Sequence, residues 1–301
     1  MDEERLRAER RTRIESVGYD YAAAPKHPVG PCNLCGGVAR RPLTEADRYG
    51  FPVVAQGCER CGLVFLDPML SRDAYSAFYE RWYRPLVSAY HGRRIDAETL
   101  PDDQRRYARS LVDWLAEQWT SPPPASWLDI GGSTGVVAAA LRDRFGGVAT
   151  VLDPSPSELA VAARLGLETA AGFVEDYTPS PGTRFEAITL CQTADHLLDL
   201  ADALERARGW LRESGWFFVD IVDYRAVARA QGALERAIKL DHPYSLSDAT
   251  LRAYLARAGF EVRATRRGAD LHLDYLCTPC TPRPDALPDT ATVTELWNEL
   301  A

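Results

Sequence analysis

No apolar run in the 301 residues approaches the length needed to cross a bilayer, and the first residues carry no signal-peptide core. A membrane-spanning or exported chain is therefore not expected, and the reading places the protein in the cytoplasm. A basic surplus is also missing. The formal net charge is -8, whereas binding to a phosphate backbone calls for clustered cations. Even the arginine-rich start, Met1 through Ser16, holds five acids against five arginines, so it reads as a solvated helix or frayed arm. Nucleic acid is accordingly not an expected partner. Hydrophobic residues at 46% and charged residues at 26% describe a globular chain with room for one large α/β domain and a smaller module.

Seven cysteines are present, and in a cytoplasmic chain they point to metal or buried thiols and not to disulfides. Cys32-Asn-Leu-Cys35-Gly36 and Cys58-Glu-Arg-Cys61-Gly62 are two matched knuckles separated by 22 residues. Cys32, Cys35, Cys58 and Cys61 together offer four thiolates to one tetrahedral Zn²⁺, which leaves no open position for water, so the ion would be structural. The short strands of such a ribbon are sought between Thr44 and Val54 and at Leu63-Val-Phe-Leu66. From Ser71 the period becomes helical, with Tyr75, Phe78, Tyr79, Trp82 and Tyr83 in an aromatic stripe that reads as a packing face or as a lid. A helix over Asp102 to Trp119 then leads to the proline-rich stop at 121–125.

The stretch that organises the remainder is Trp127-Leu-Asp-Ile-Gly-Gly-Ser-Thr-Gly135, an apolar run, an acid and a glycine loop that feeds a helix. Such a turn brings backbone N–H groups to the carboxyl edge of a parallel sheet, where nucleotides and nucleosides bind. Gly131, Gly132 and Gly135 lack the G-x-G-x-x-G spacing of a dinucleotide fingerprint. The next strand, Val148 to Leu152, ends on Asp153, 24 residues after Asp129. A carboxylate there can accept both ribose hydroxyls of a nucleoside, although Asp153 before Pro154-Ser155 also reads as a helix cap.

The pattern Asp129-x-Gly131-x-Ser133-x-Gly135 resembles the first motif of the class I S-adenosylmethionine-dependent methyltransferases, with Ser133 where the middle glycine usually stands. The resemblance runs from about Asp102 to Cys277, and it includes a last helix, Gly259-Phe260 and a closing hairpin. It implies a Rossmann-like, seven-stranded α/β core with S-adenosylmethionine as cofactor. Asp129, Gly131, Gly132, Ser133 and Gly135 would cradle that cofactor and Asp153 would hold its ribose. Phe173 would flank the adenine, Glu175 or Asp176 would meet the adenine amino group, and Gln192, in the 191–196 segment, would line the methionine part. Residues 1–30 would then form an arm, 31–70 a zinc ribbon, 71–120 a helical connector or lid, 121–280 the core and 281–301 a tail. Ribbon, aromatic Tyr79-x-x-x-Tyr83-Arg84 segment and core together look like the zinc-containing sugar C-methyltransferases and related natural-product enzymes. In those, a Tyr-x-x-His segment supplies a catalytic histidine, and here Lys239-Leu-Asp-His242 keeps the histidine and not the tyrosine.

Methyl transfer to carbon or hydroxyl needs a base that is neutral near pH 7, which suits histidine. His242 is the expected base, with His196 as the other candidate and Asp241, Lys239 and Tyr244 as acceptor contacts. Asp195 and Asp241 each precede a histidine, but adjacent side chains seldom face the same way, so neither sequential pair is expected to be hydrogen-bonded. The expected partner is a small-molecule acceptor such as a nucleotide-linked sugar, polyketide or oligosaccharide. Two other functions fit the pattern: an RNA methyltransferase with a ribbon, and a non-catalytic protein that binds the cofactor. Cys277-Thr-Pro-Cys280 has no second pair to complete a site.

Overall fold

The computed structural model describes residues 3–119, 123–268 and 271–300. The first two positions of the proline-rich stop at 121–125 lie outside them, as do residues 1, 2 and 301 of the expected arm and tail. Among the described residues no helix is long and apolar enough to cross a membrane.

The N-terminal helix α1 (Glu3–Glu15) is rich in charge, and it is anchored where Arg13 Nε donates to the Ala89 carbonyl at 2.9 Å. The short strand β1 (Lys26–His27) pairs with β5 (Met69–Leu70) around the ribbon strands β2 (Arg40–Thr44), β3 (Ala55–Cys58) and β4 (Val64–Leu66). The stretch expected to supply strands, Thr44 to Val54, is instead mostly the loop between β2 and β3. Asp47 closes that loop by accepting from the Tyr49 and Phe51 amides at 3.0 and 2.9 Å, and Gly50 holds φ 88°. A side chain that satisfies its own neighbours' amides competes with strand pairing.

Two helices follow where one was expected, α2 (Arg72–Arg81), capped by Ser71 Oγ accepting from the Ala74 amide at 3.3 Å, and α3 (Tyr83–His91). Then comes α4 (Leu100–Gln118), with Pro101 near its start and Asp102 and Asp103 in its first turn, where carboxylates meet the helix dipole.

From here strand and helix alternate: β6 (Ser126–Ile130), α5 (Val136–Phe145), β7 (Val148–Asp153), α6 (Pro156–Arg164), β8 (Glu168–Ala171), β9 (Phe185–Leu190), α7 (Leu200–Trp210) and β10 (Leu211–Val222). After α8 (Tyr224–Gln231) and the two-residue strand β11 (Tyr244–Ser245) come α9 (Asp248–Ala258), β12 (Phe260–Arg267), β13 (His272–Pro279) and α10 (Thr290–Leu300). The seven-stranded sheet has the order β12-β13-β10-β9-β6-β7-β8; it is parallel from β10 to β8 and antiparallel where β13 joins β10 and β12. Helices cover both faces, and the two-residue period sorts side chains between them: Phe217 and Val219 enter the core shared with the ribbon, while Phe218 enters the core under α4 and α5.

The ribbon sheet is completed from far along the chain, because β11 pairs with β4 through Tyr244 opposite Phe65 and Ser245 opposite Val64. Its other side is covered by α10, whose Trp297 ring lies directly over Gly57. A Cβ added at Gly57 would stand 2.3 Å from that ring. The Gly57→Ala variant should therefore lose roughly 1–3 kcal/mol of stability by overpacking, measured by thermal or denaturant unfolding. Adding Trp297→Ala should recover part of the loss, whereas strictly additive effects in the double variant would mean that the two residues do not meet.

Candidate active site

The carboxyl ends of β6, β7 and β9 open into one cavity of about 1010 Å³. The glycine loop after β6 forms its floor. Gly131 and Gly135 hold φ of 68° and 73°, and Ser133 holds 53° in the same left-handed region, which a small polar residue tolerates. Gly131, Gly132 and Gly135 are also required by contact: a Cβ would lie 2.4 Å from Thr193, 2.5 Å from the Asp129 carboxylate and 2.6 Å from Leu167, respectively. The loop is thus pressed against the strand-end side chains that line the cavity.

Asp129 accepts from Thr189 Oγ1 at 2.7 Å with Oδ1, while its buried Oδ2 has no hydrogen-bond partner among the described residues. Burial pushes this carboxyl up to about 7. Asp153 ends β7 and lines the same cavity, accepting from the Ser133 amide at 2.9 Å and the Ser155 amide at 2.8 Å. The aspartate thus closes its own turn before α6 and also holds the glycine loop. Burial and the Glu158 charge raise it to about 6. Glu158 in turn bonds Ser133 Oγ and accepts from Arg84 Nε at 2.7 Å, which ties the start of α3 to the loop.

Gly172, Phe173 and Val174, after β8, line the cavity; Glu175 and Asp176 do not. The turn closed by the Asp176 amide on the Phe173 carbonyl at 3.1 Å carries both acids away from the edge. Asp176 pairs with Arg72, and Glu175 lines a separate recess of about 230 Å³ with His27, Met69 and Leu198. The expectation that either acid reaches the adenine position is therefore corrected. Gln192 lines the main cavity with φ 51°; its amide donates to Asp220 Oδ1 at 2.6 Å and its side chain lies 3.1 Å from His272 Nε2.

One histidine pairs crosswise with an aspartate, while the other crosswise contact, His196 Nδ1 to Asp241 Oδ2, is 3.9 Å. His242 Nδ1 lies 2.7 Å from Asp195 Oδ2, whereas the sequential pairs are wider, at 3.9 Å for Asp195 with His196 and 3.6 Å for Asp241 with His242. The two imidazoles meet edge to face with centroids 4.3 Å apart. His196 lines the cavity, and its Nδ1 is held by the Tyr79 hydroxyl and lies 3.1 Å from the Asp241 carbonyl. The Asp241 carbonyl can only accept and the Tyr79 hydroxyl can accept or donate, so a proton on Nδ1 suits both contacts and leaves the lone pair on Nε2. His242, the expected base, is buried behind His196 and is not among the cavity-lining residues; Lys239 Nζ stands 3.0 Å from its Nε2. Asp195, Asp241 and Tyr244 are likewise behind the wall, with the Tyr244 hydroxyl donating to the Leu198 carbonyl at 2.9 Å.

Burial and the neighbouring His242 charge lower His196 to about 4, so it is neutral at pH 7. Burial opposes the charge of Asp195, yet the His242 imidazole holds that carboxyl well below its usual range. Lys239 is lowered to about 8 by burial and by Arg48.

Sequence reasoning missed part of the cavity wall, including Tyr107 and His272. Tyr75, Tyr79 and Tyr83 carried a signal in the aromatic stripe of α2 and α3, for which packing and lid were both open. Their side chains pack and also line the cavity, since Tyr75 donates to the His196 and Asp241 carbonyls at 2.6 and 2.9 Å and stands in the cavity wall. In the ribbon, Sγ pairs lie 3.6 Å (Cys32 with Cys61) and 3.4 Å (Cys35 with Cys58) apart, and all four sulfurs fall within 4.8 Å of one another.

The methyltransferase-domain family matches residues 102–265, more than half of the chain. A curated relative, the ubiquinone biosynthesis O-methyltransferase of Methylobacterium sp. (strain 4-46), is 31% identical over 112 residues, a match that takes in 34% of this chain and 44% of the relative. The chain thus spans less than half the length of that relative. Among solved structures, an O-methyltransferase family protein from Burkholderia thailandensis superposes with a TM-score of 0.50 over 71% of this chain and 64% of its own, at 13% identity. A candidate O-methyltransferase from Nostoc punctiforme PCC 73102 gives 0.50 over 69% and 61%, at 16% identity. At such identities the likeness is one of fold. With the glycine loop, the strand order and the family match in agreement, the chain belongs to the methyltransferase-domain family and carries the class I fold of S-adenosylmethionine-dependent methyltransferases.

Proposed function

We propose that this protein transfers a methyl group from S-adenosylmethionine to a small-molecule acceptor, a sugar or natural-product intermediate, with His196 taking the acceptor's proton. The observation that carries the reading is the shared cavity: an unpartnered buried oxygen of Asp129, the strand-end carboxylate of Asp153 and a neutral, tautomer-fixed histidine all belong to one enclosure. The donor set fits the cofactor, since Asp129 Oδ2 is an acceptor waiting for a cationic or N–H group and Asp153 is an acceptor for hydroxyls. Bound S-adenosylmethionine supplies a sulfonium-activated methyl, so the protein has only to position the acceptor and remove a proton.

His196 is suited to that second task. Its Nδ1 is fixed by the Asp241 carbonyl and Tyr79, its Nε2 is the basic atom, and Asp195 Oδ1 stands 3.9 Å from Nε2 to stabilise the imidazolium once formed. The role expected of His242 thus passes to its neighbour, and His242 keeps Asp195 ionised and in place. Tyr75, Tyr79 and Tyr83 give the acceptor an aromatic wall. We further propose that the four cysteines hold a structural zinc: ligands at about 2.3 Å from a tetrahedral ion lie roughly 3.8 Å apart, close to the Sγ separations of 3.4 and 3.6 Å.

If both cavity carboxylates must be ionised to hold the cofactor, affinity depends on pH with a defined sign. Asp129 and Asp153, raised to about 7 and about 6, are increasingly protonated as pH falls through that range. Affinity for S-adenosylhomocysteine should rise with pH up to about 7 and level off above it, with proton release on binding at the acid end. Calorimetry across this range in buffers of different ionisation enthalpy measures both, and Asp153→Asn should flatten the lower part of the profile. Affinity that is constant over the range would remove the ionised carboxylates from the reading. His196→Gln should leave S-adenosylhomocysteine binding near normal while lowering turnover about 10²–10⁴-fold, with a smaller loss for His242→Gln; full turnover by His196→Gln on the true acceptor would rule out His196 as base.

A further inference from the structure

The ribbon grips the segments that carry the two histidines, and it does so at three points. Asn33 stands inside the first knuckle, between Cys32 and Cys35. Its Nδ2 donates to Asp199 Oδ1 at 2.8 Å, and its Oδ1 accepts from the Ala201 amide at 3.1 Å and the Tyr254 hydroxyl at 2.8 Å. Asp199 is the N-cap of α7, accepting from the Asp202 amide at 3.0 Å, and it follows His196 by only three residues. At the second point, the Leu66 amide donates to the Pro243 carbonyl at 3.0 Å and β4 pairs with β11, so the chain is fixed immediately after His242. At the third, Asp47 Oδ2 accepts from the Leu240 amide at 3.0 Å and the Arg48 amide donates to the Ile238 carbonyl at 3.0 Å, so it is fixed before His242 as well.

The histidine segments have little regular structure of their own. His196 ends a single short 3₁₀ turn, Ala194–His196, and 239–243 contributes no helix or strand. Backbone hydrogen bonds to neighbours must therefore set the relative position of Asp195, His196 and His242, and several of these come from the ribbon. Asn33 is distinct among them because it lies between two of the clustered cysteines: the knuckle's turn, closed by the Gly36 amide on the Cys32 carbonyl at 2.8 Å, fixes where its side chain points.

We propose that Asn33 is a positioning residue for the active site, a strut through which the four-cysteine knuckle sets the geometry of His196 against Asp195 and His242. This rests on the reading of His196 as base. It makes the ribbon part of the catalytic scaffold: loss of the ion relaxes the turn, withdraws the strut from Asp199 and Ala201, and loosens the loop that carries His196. The cofactor half of the cavity, built from Asp129, the glycine loop and Asp153, does not touch Asn33, so cofactor binding is left in place.

The test is nitrogen NMR of the histidine side chains in the zinc-loaded full chain at neutral pH, with metal content measured on the same sample. In the native protein His196 should show one pyrrole-like and one pyridine-like nitrogen, the signature of a fixed Nδ1–H tautomer. Asn33→Ala should keep its zinc and its affinity for S-adenosylhomocysteine, yet move the two His196 nitrogens toward averaged positions. Tyr254→Phe removes one of the three hydrogen bonds and keeps the ring, and it should move them in the same direction by less. It also serves if Asn33→Ala does not fold. Native-like His196 nitrogens in zinc-loaded Asn33→Ala, or in Tyr254→Phe where Asn33→Ala is not obtained, would overturn the proposal. These spectra need no acceptor, so failure of the strut is distinct from failure of the base reading, which would appear as full turnover by His196→Gln.

Discussion

The 2.7 Å contact between Asp195 and His242 is the constraint on which the candidate active site depends. A buried carboxylate keeps its charge only beside a partner, and without His242 the burial of Asp195 would favour the neutral acid. Holding that partner requires two distant segments to meet, the turn after β9 and the irregular stretch before α9. Neither has regular structure sufficient to place itself. The ribbon strands, the aromatic face of α2 and the N-cap of α7 do so instead. His196 is then pressed between Tyr79, the Asp241 carbonyl and the His242 ring, and is thereby kept neutral with its basic nitrogen fixed.

The opposite part of the cavity is assembled by a different and more local logic. The glycine loop follows directly from β6, and contacts of Gly131 with Thr193 and of Gly132 with Asp129 allow no side chain at either position. Asp129 and Asp153 end up at neighbouring strand ends because β6 and β7 are paired in parallel, with Asp129 opposite Val151. The Arg84–Glu158–Ser133 chain of contacts fastens the helical cover to this loop, so cover and floor are one structure.

That contrast explains what the sequence made legible. The placement of Asp129, Gly131, Ser133 and Asp153 at the cavity was readable because a strand end and its loop follow from short-range spacing, and the seven-stranded order followed from the resemblance they carry. The two knuckles were readable for the same reason, since Cys-x-x-Cys places two sulfurs on one turn. The crosswise pairing of Asp195 with His242 was not, because it depends on long-range placement of two loops, and so which of the two candidate histidines faces the cavity could not be read. Glu175 and Asp176 failed as cavity residues because the turn closed by the Asp176 amide on the Phe173 carbonyl faces them away from it. The fourth ribbon strand, Tyr244–Ser245, is two residues long and has no period to read. The aromatic stripe revealed a face and left packing and lid both open, and the fold shows that the face lines a cavity.

The most direct test of the central claim, that this cavity is built for S-adenosylmethionine, is calorimetric titration of the purified protein with S-adenosylhomocysteine and, in parallel, with NAD⁺. The expected result is saturable one-to-one binding of S-adenosylhomocysteine that Asp129→Ala weakens, and no binding of NAD⁺. Binding of NAD⁺ in its place, or S-adenosylhomocysteine binding untouched by Asp129→Ala, would contradict it.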